Sequence, residues 1–223
     1  MKFGPVAPAD ALGATAVHSI RQGELVLKKG TLIGPSEVAA LQAAGVKEIV
    51  VVRLEPGDVS EDQAAAEIAA ASAGGGVRTD RAFTGRCNLF AETAGVLVVD
   101  KDAIDRLNRI DEAVTLATLP AYKPVVEGEM IATVKIIPFA VATAARDQAV
   151  AEAAKAKPLI RVAPYRVRKI GIVSTLLPGL APKVVEKTLK ITAARIAPAG
   201  ASIVAERRVP HEQAALAGAI EEV

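Results

Sequence analysis

The chain has very few aromatic residues, one cysteine and two histidines. Of its 223 residues only 3% are aromatic, and tryptophan is absent. Its apolar cores must therefore be built from alanine, valine, isoleucine and leucine. A lone Cys87 excludes an intrachain disulfide and a cysteine metal cluster. His18 and His211 are far apart in the sequence, so a histidine metal site has little support.

Long apolar runs are also missing. No run approaches the roughly 18–20 residues of a transmembrane helix. The N-terminal residues lack the continuous apolar stretch that is typical of a signal peptide. We therefore expect a cytoplasmic protein with no membrane partner.

The net charge is small but unevenly distributed. It is +2 for the chain, yet residues 165–208 carry nine Lys or Arg against two Glu. Such a basic segment favours anionic ligands such as phosphates. The plainer interpretation is that its lysines form the solvent-exposed face of an amphipathic helix. The scarcity of aromatics and of known motifs argues against a nucleic-acid partner.

Turn residues and helix caps divide the chain into three units, residues 1–76, 77–164 and 165–223. The first is predicted to be α+β, and it ends with a helix that begins after Ser60 and stops at three glycines. The middle unit is also predicted to be α+β, with Asp100 as the N-cap of a short helix.

The third unit is predicted to begin an α/β domain. Its apolar run Ile170–Val173 is bounded by turn residues, which suits a strand buried on both faces of a parallel sheet. Pro182 predicts the first turn of a helix, Ala201–Val209 a second strand, and Pro210 the start of a second helix. The expected fold is therefore an α+β N-terminal region followed by a partial α/β domain with β-α-β-α order and a parallel sheet.

Ligands of open α/β sheets bind at the carboxyl ends of the strands. Ser174 and Thr175 lie at that end of the first strand, and the loop that follows contains Gly179. Lys183 is in the first turn of the next helix, where backbone N–H groups favour an anion. These four residues are the predicted ligand-binding residues of the third unit.

A second candidate site lies in the middle unit. Arg86 and Asn88 offer a planar guanidinium and an amide that suit a carboxylate or phosphate. The alternative is a surface turn held by local hydrogen bonds. The sequence has no nucleophile elbow and no His-Glu-x-x-His, and it has no acids paired at helical spacing in a setting that would raise a pKa. We therefore predict no catalytic residue and no metal ligand.

Two stretches resemble known proteins. The segment LKKGTLIGPSEVAALQAAGVKEIVVV resembles the block that molybdopterin molybdotransferases carry just before their pterin-binding domain. The strand IGIVST, followed by a Gly-Pro-containing loop, helix, strand and helix, resembles the opening of the molybdopterin-binding domain itself, which molybdopterin adenylyltransferases share. Leu176 and Leu177 stand where those relatives have Gly-Asp, and the later Gly-Gly-Thr/Ser loop is missing.

The resemblance implies a molybdopterin-binding protein of molybdenum-cofactor biosynthesis, acting as a binding or carrier module. Its ligand would be molybdopterin as a pterin phosphate or nucleotide, and its partners other molybdenum-cofactor proteins. The alternative is a transferase that moves a nucleotidyl group or molybdate to molybdopterin, with Mg²⁺ and a catalytic part beyond residue 223. We expect the chain to be truncated within the pterin-binding domain. An unpaired edge strand would then favour a homo-oligomer.

Overall fold

The computed structural model describes residues 1–156 and 158–223. These residues form a mixed architecture of small, mostly antiparallel sheets and six α-helices. The helices are α1 (Pro35–Ala43), α2 (Glu61–Ser72), α3 (Lys101–Leu107), α4 (Thr143–Lys155), α5 (Pro182–Ile196) and α6 (Gln213–Glu222). Within the described residues no helix is long and apolar enough to cross a membrane.

The strands are short, and most pair with partners distant in sequence. They are β1 (Lys2–Val6), β2 (Thr15–Ala16), β3 (Ile20–Gln22), β4 (Leu25–Leu27), β5 (Ile49–Arg53), β6 (Asp58–Ser60), β7 (Val77–Thr79), β8 (Arg86–Ala91), β9 (Gly95–Val99), β10 (Val114–Thr118), β11 (Pro124–Val125), β12 (Met130–Ile136), β13 (Ala140–Ala142), β14 (Ile160–Pro164), β15 (Lys169–Leu176) and β16 (Ser202–Pro210).

The first apolar core lies between residues 11 and 51. An antiparallel sheet of order β1-β5-β2 places the apolar run of β5 at its centre, and β3 and β4 form a separate hairpin. Helix α1 contributes Leu41 to this core, next to Ile33 and Ile49. Gly45, with φ +70°, follows the helix in the left-handed conformation expected of a C-terminal cap.

The second and larger core lies between residues 59 and 162. Helix α2 packs against α4 and onto β8 and β12 of a four-stranded antiparallel sheet, order β10-β12-β8-β7. Ile68 of α2 shares this core with Leu89 and Val134 of the sheet. A second antiparallel sheet, order β11-β9-β14, adds Leu97 and Val162. The helix that the sequence places in the first unit is thus buried with the strands of the second.

The predicted caps of these helices are present. The Asp100 carboxylate accepts a hydrogen bond from the Ala103 N–H at 3.0 Å. The Ser60 hydroxyl accepts one from the Gln63 N–H at 3.4 Å. Pro182 occupies the first turn of α5, where its missing N–H costs nothing.

The predicted fold class is wrong. The C-terminal segment holds a single parallel pair, β15 with β16, connected by α5, and no third strand from the described residues joins it. The other sheets are antiparallel, so the described residues do not form the α/β domain with a parallel sheet that the β-α-β-α pattern predicted. The apolar run Ile170–Val173 misled the prediction because the strand is only partly covered. Apart from Val185 and Ala219, the segment has no buried apolar side chain among the described residues.

Candidate functional site

The carboxyl ends of β15 and β16 lie side by side because the two strands run parallel. Leu176 is opposite Pro210 in the register, and the His211 N–H donates to the Leu176 carbonyl at 3.1 Å. This edge borders a cleft of about 430 Å³, lined by residues 176–178 and 208–212. We refer to it as the strand-end cleft.

A tight turn leads from β15 into helix α5. Pro178 and Gly179 are its central residues, and the Leu180 N–H donates to the Leu177 carbonyl at 3.1 Å. Gly179 has φ +80°, as the second central residue of a type II turn requires. Helix α5 begins without a side-chain cap and without an acidic residue in its first turn. Its N-terminal partial positive charge is therefore not offset locally.

The ionisable side chains that line the strand-end cleft are those of Arg208, His211 and Glu212. The His211 imidazole Nδ1 lies 2.9 Å from the Thr175 hydroxyl, which orients the ring. Arg208 Nε donates to the Glu206 carboxylate at 2.5 Å, and this hydrogen bond raises the pKa of the guanidinium. Glu212 is the one acidic residue of the lining. The arrangement offers an imidazole and a guanidinium to an anion that enters from solvent.

The predicted residues of the third unit lie close to this cleft but do not line it. Thr175 acts through its contact with His211, and Ser174 is half-buried in β15 opposite Arg208. Gly179 and Lys183 are exposed, in the turn and in the first turn of α5. The sequence interpretation missed Arg208 and His211. A signal was available, because residues that follow two parallel strands must meet at one edge.

Arg86 and Asn88 lie elsewhere, on β8. The strand alternates, so Cys87 and Leu89 are buried while Arg86 is exposed and Asn88 is partly exposed. Arg86 is opposite Lys135 of β12, and its guanidinium carbon lies 5.8 Å from the centre of the Phe83 ring. The two residues thus belong to the outer face of the four-stranded sheet and do not join the strand-end cleft.

No group of three His, Cys, Asp or Glu side chains within residues 1–156 and 158–223 is placed to share a metal ion.

Comparison with known proteins gives one match, over the N-terminal part of the chain. Residues 5–53 match a family described as "Domain of unknown function (DUF8806)". This range contains most of the β1-β5-β2 sheet, the β3–β4 hairpin and α1. No curated protein and no solved structure matches the chain.

Proposed function

We propose that this protein binds molybdopterin through its phosphate group, as a binding or carrier module of molybdenum-cofactor biosynthesis in the cytoplasm. The observation that carries the proposal is the strand-end cleft, which Arg208 and His211 both line. The resemblance of the IGIVST strand and of the segment at residues 27–52 to molybdopterin enzymes supports the choice of ligand.

The cleft suits a phosphate monoester for three physical reasons. The Arg208 guanidinium is a planar donor that matches phosphate oxygens. The Thr175 hydroxyl contacts His211 Nδ1, which leaves Nε2 to contact the ligand. The Pro178–Gly179 turn connects the cleft lining to the α5 N-terminus, which carries a partial positive charge of roughly half a unit, and Lys183 adds a full charge in the first turn of that helix.

Self-association is part of the same proposal. The C-terminal segment exposes several large apolar side chains, among them Val167, Leu177, Val204 and Ile220. A two-stranded pair also leaves strand edges that natural proteins usually cover. We expect light scattering to give the mass of a dimer or larger species, and a strict monomer at all concentrations would contradict this part.

The binding proposal is tested by calorimetric titration with a pterin phosphate at fixed salt. We expect Arg208→Gln, and separately Thr175→Val combined with Lys183→Ala, to weaken binding by about 1–3 kcal/mol, the range for charge-assisted hydrogen bonds. Lys190→Ala, an exposed charge farther along α5, is the matched control and should bind like wild type. Equal affinity of wild type and both variants would exclude the strand-end cleft as the phosphate site.

A further inference from the structure

The chain contains a second cavity, remote in sequence from the strand-end cleft. It measures about 520 Å³ and lies where three parts of the chain meet: the Lys29–Gly30 turn, the start of α2, and the hairpin that leads into β8. We call it the junction cavity. The side chains that matter for its chemistry are Lys29, Glu61, Asp62, Arg81, Phe83 and Phe139.

Glu61 is the central polar group of the junction cavity. It is the first residue of α2, and its backbone N–H donates to the Phe139 carbonyl at 3.0 Å. Its carboxylate lies against Gly85, where an added Cβ would come 2.5 Å from Oε2. Among the described residues none forms a hydrogen bond or ion pair with this carboxylate. A partly buried carboxylate without a partner gains from a ligand that donates to it.

Charges of both signs surround Glu61. Burial raises the pKa of Glu61, Asp62 raises it further, and the cations Lys29 and Arg86 act in the opposite direction. A charged ligand of either sign would therefore meet a like charge close to Glu61, the two carboxylates for an anion and the lysine and arginines for a metal cation. The combination fits a neutral group with N–H donors, carried by a molecule that is neutral or anionic elsewhere.

Aromatic side chains form the walls of the junction cavity. Phe83 and Phe139 both line it, although the whole chain contains only four phenylalanines. Phe83 is 47% exposed, so part of its ring is accessible to a ligand. The Lys29 ammonium lies 5.2 Å from the centre of the Phe139 ring. An exposed ring beside an unpartnered carboxylate favours a flat heterocycle that stacks and donates at the same time.

The hairpin that carries Phe83 is strained at this cavity. Phe83 and Arg86 exchange both backbone hydrogen bonds, at 2.9 and 3.1 Å, so Thr84 and Gly85 are the two turn residues. Both have positive φ, +45° and +71°, which defines a type I′ turn. A β-branched residue in this conformation is an outlier, and such strain is concentrated at ligand sites.

We propose that the junction cavity binds a planar heterocycle with a 2-amino-4-oxopyrimidine edge, the ring that pterins and guanine share. The ring N–H and the 2-amino group of that edge donate as a pair to the Glu61 carboxylate, in the fork geometry that carboxylates accept. The ring stacks on Phe83, and a phosphate attached to the ligand faces Lys29 and Arg81. Adenine is rejected because its corresponding edge presents a ring nitrogen acceptor to the carboxylate. This proposal is independent of the strand-end cleft.

The test is calorimetric titration of the full chain with four probes that carry no phosphate: neopterin, guanosine, inosine and adenosine. We expect neopterin or guanosine to bind, and the tighter of the two identifies the source of the ring. Inosine lacks the 2-amino group, so its affinity should be at least about tenfold lower than that of guanosine, the loss typical of one charge-assisted hydrogen bond. Absence of binding by both neopterin and guanosine, or equal binding of adenosine, would overturn the proposal.

Matched variants assign the binding to Glu61. Glu61→Gln keeps the size of the side chain but removes its charge, and should lower the affinity for the probe that binds by at least about tenfold. Asp102→Asn, in the first turn of α3, makes the same chemical change outside the cavity and should bind like wild type. Both variants should keep the wild-type thermal unfolding midpoint. Equal weakening by the two substitutions, or none by Glu61→Gln, would overturn the assignment.

Discussion

Thr84 stores backbone strain whose release should stabilise the protein. Its φ of +45° belongs to the left-handed region, which costs non-glycine residues on the order of 1–3 kcal/mol. Asparagine tolerates this region far better and is preferred in type I′ turns. Thr84→Asn should therefore raise the free energy of unfolding by about 1 kcal/mol, which corresponds to a rise in melting temperature of roughly 2–4 °C for a chain of this size. Thr84→Gly should raise the free energy of unfolding by less, because glycine stabilises the unfolded state by about 0.5–1 kcal/mol through its greater chain entropy.

Urea unfolding followed by circular dichroism measures this difference. Thr79→Asn is the matched control, because Thr79 lies in the neighbouring strand β7 and is not among the residues with positive φ. Asparagine is disfavoured in strands, so that variant should be no more stable than wild type. If Thr84→Asn fails to exceed wild type, or if both substitutions shift stability equally, the turn does not hold the strain that its φ values indicate.

Three further outcomes follow from the packing and the charges. Gly95→Ala should lower the free energy of unfolding by about 1–3 kcal/mol, because the added Cβ would collide with the Ala163 carbonyl oxygen in the paired strand. The control in urea unfolding is Gly4→Ala in β1, where an added Cβ meets no atom within 4 Å. The Cys87 thiol should react with a disulfide reagent only on unfolding, since burial raises the pKa of the thiol and removes the sulfur from solvent. Immediate stoichiometric reaction of the folded protein would contradict this prediction. Hydrogen bonds from Lys155 and Arg106 lower the pKa of Glu152, so the ionised carboxylate stabilises the fold at neutral pH and this contribution is lost as pH falls below its usual pKa of 4.5. The difference in free energy of unfolding between wild type and Glu152→Gln should therefore shrink in acid. An unchanged difference would contradict this prediction.

Local signals in the sequence predicted local structure well. Asp100, Ser60 and Pro182 mark helix starts because side-chain acceptors and a missing N–H act within one turn of the chain. The same locality explains why the alternation of Arg86, Cys87, Asn88 and Leu89 agrees with a strand that has one buried face. The period-two pattern of this stretch therefore indicates a strand, rather than the ligand site or surface turn expected from its residue types.

Long-range pairing was not predictable in this way. Strand β9 pairs with β14, and Gly95 lies opposite Pro164, more than sixty positions later in the sequence. Strand β8 pairs with β12, although α3 lies between them in the sequence. No local residue pattern specifies such partners, because the pairing depends on which apolar faces are left to be covered. The same reason accounts for the wrong fold class. Ile170–Val173 has the composition of a central strand, but within the described part of the chain only β16 pairs with it.

Some residues of the candidate sites could be predicted from local sequence features, and others could not. Ser174, Thr175 and Lys183 could be named from their positions after a strand and at a helix start, which are local features. His211 joins Thr175 only because two strands separated by α5 run parallel in one register. Glu61 and Phe83 come together only through the packing of α2 beside the hairpin that leads into β8. The contact of Glu61 with this hairpin has no signature in the nearby sequence, whereas that of His211 could be anticipated only by taking β15 and β16 as parallel neighbours.

Nuclear magnetic resonance of the nitrogen-15-labelled chain, titrated with a pterin phosphate, tests the central claim most directly, because it reports where the ligand binds. We expect saturable shifts of the backbone amides of Leu177, Gly179, Lys183 and His211, which surround the strand-end cleft. The shifts at these positions should be lost in Arg208→Gln. A saturable titration that leaves all four amides unmoved would contradict the account and place the phosphate outside the strand-end cleft.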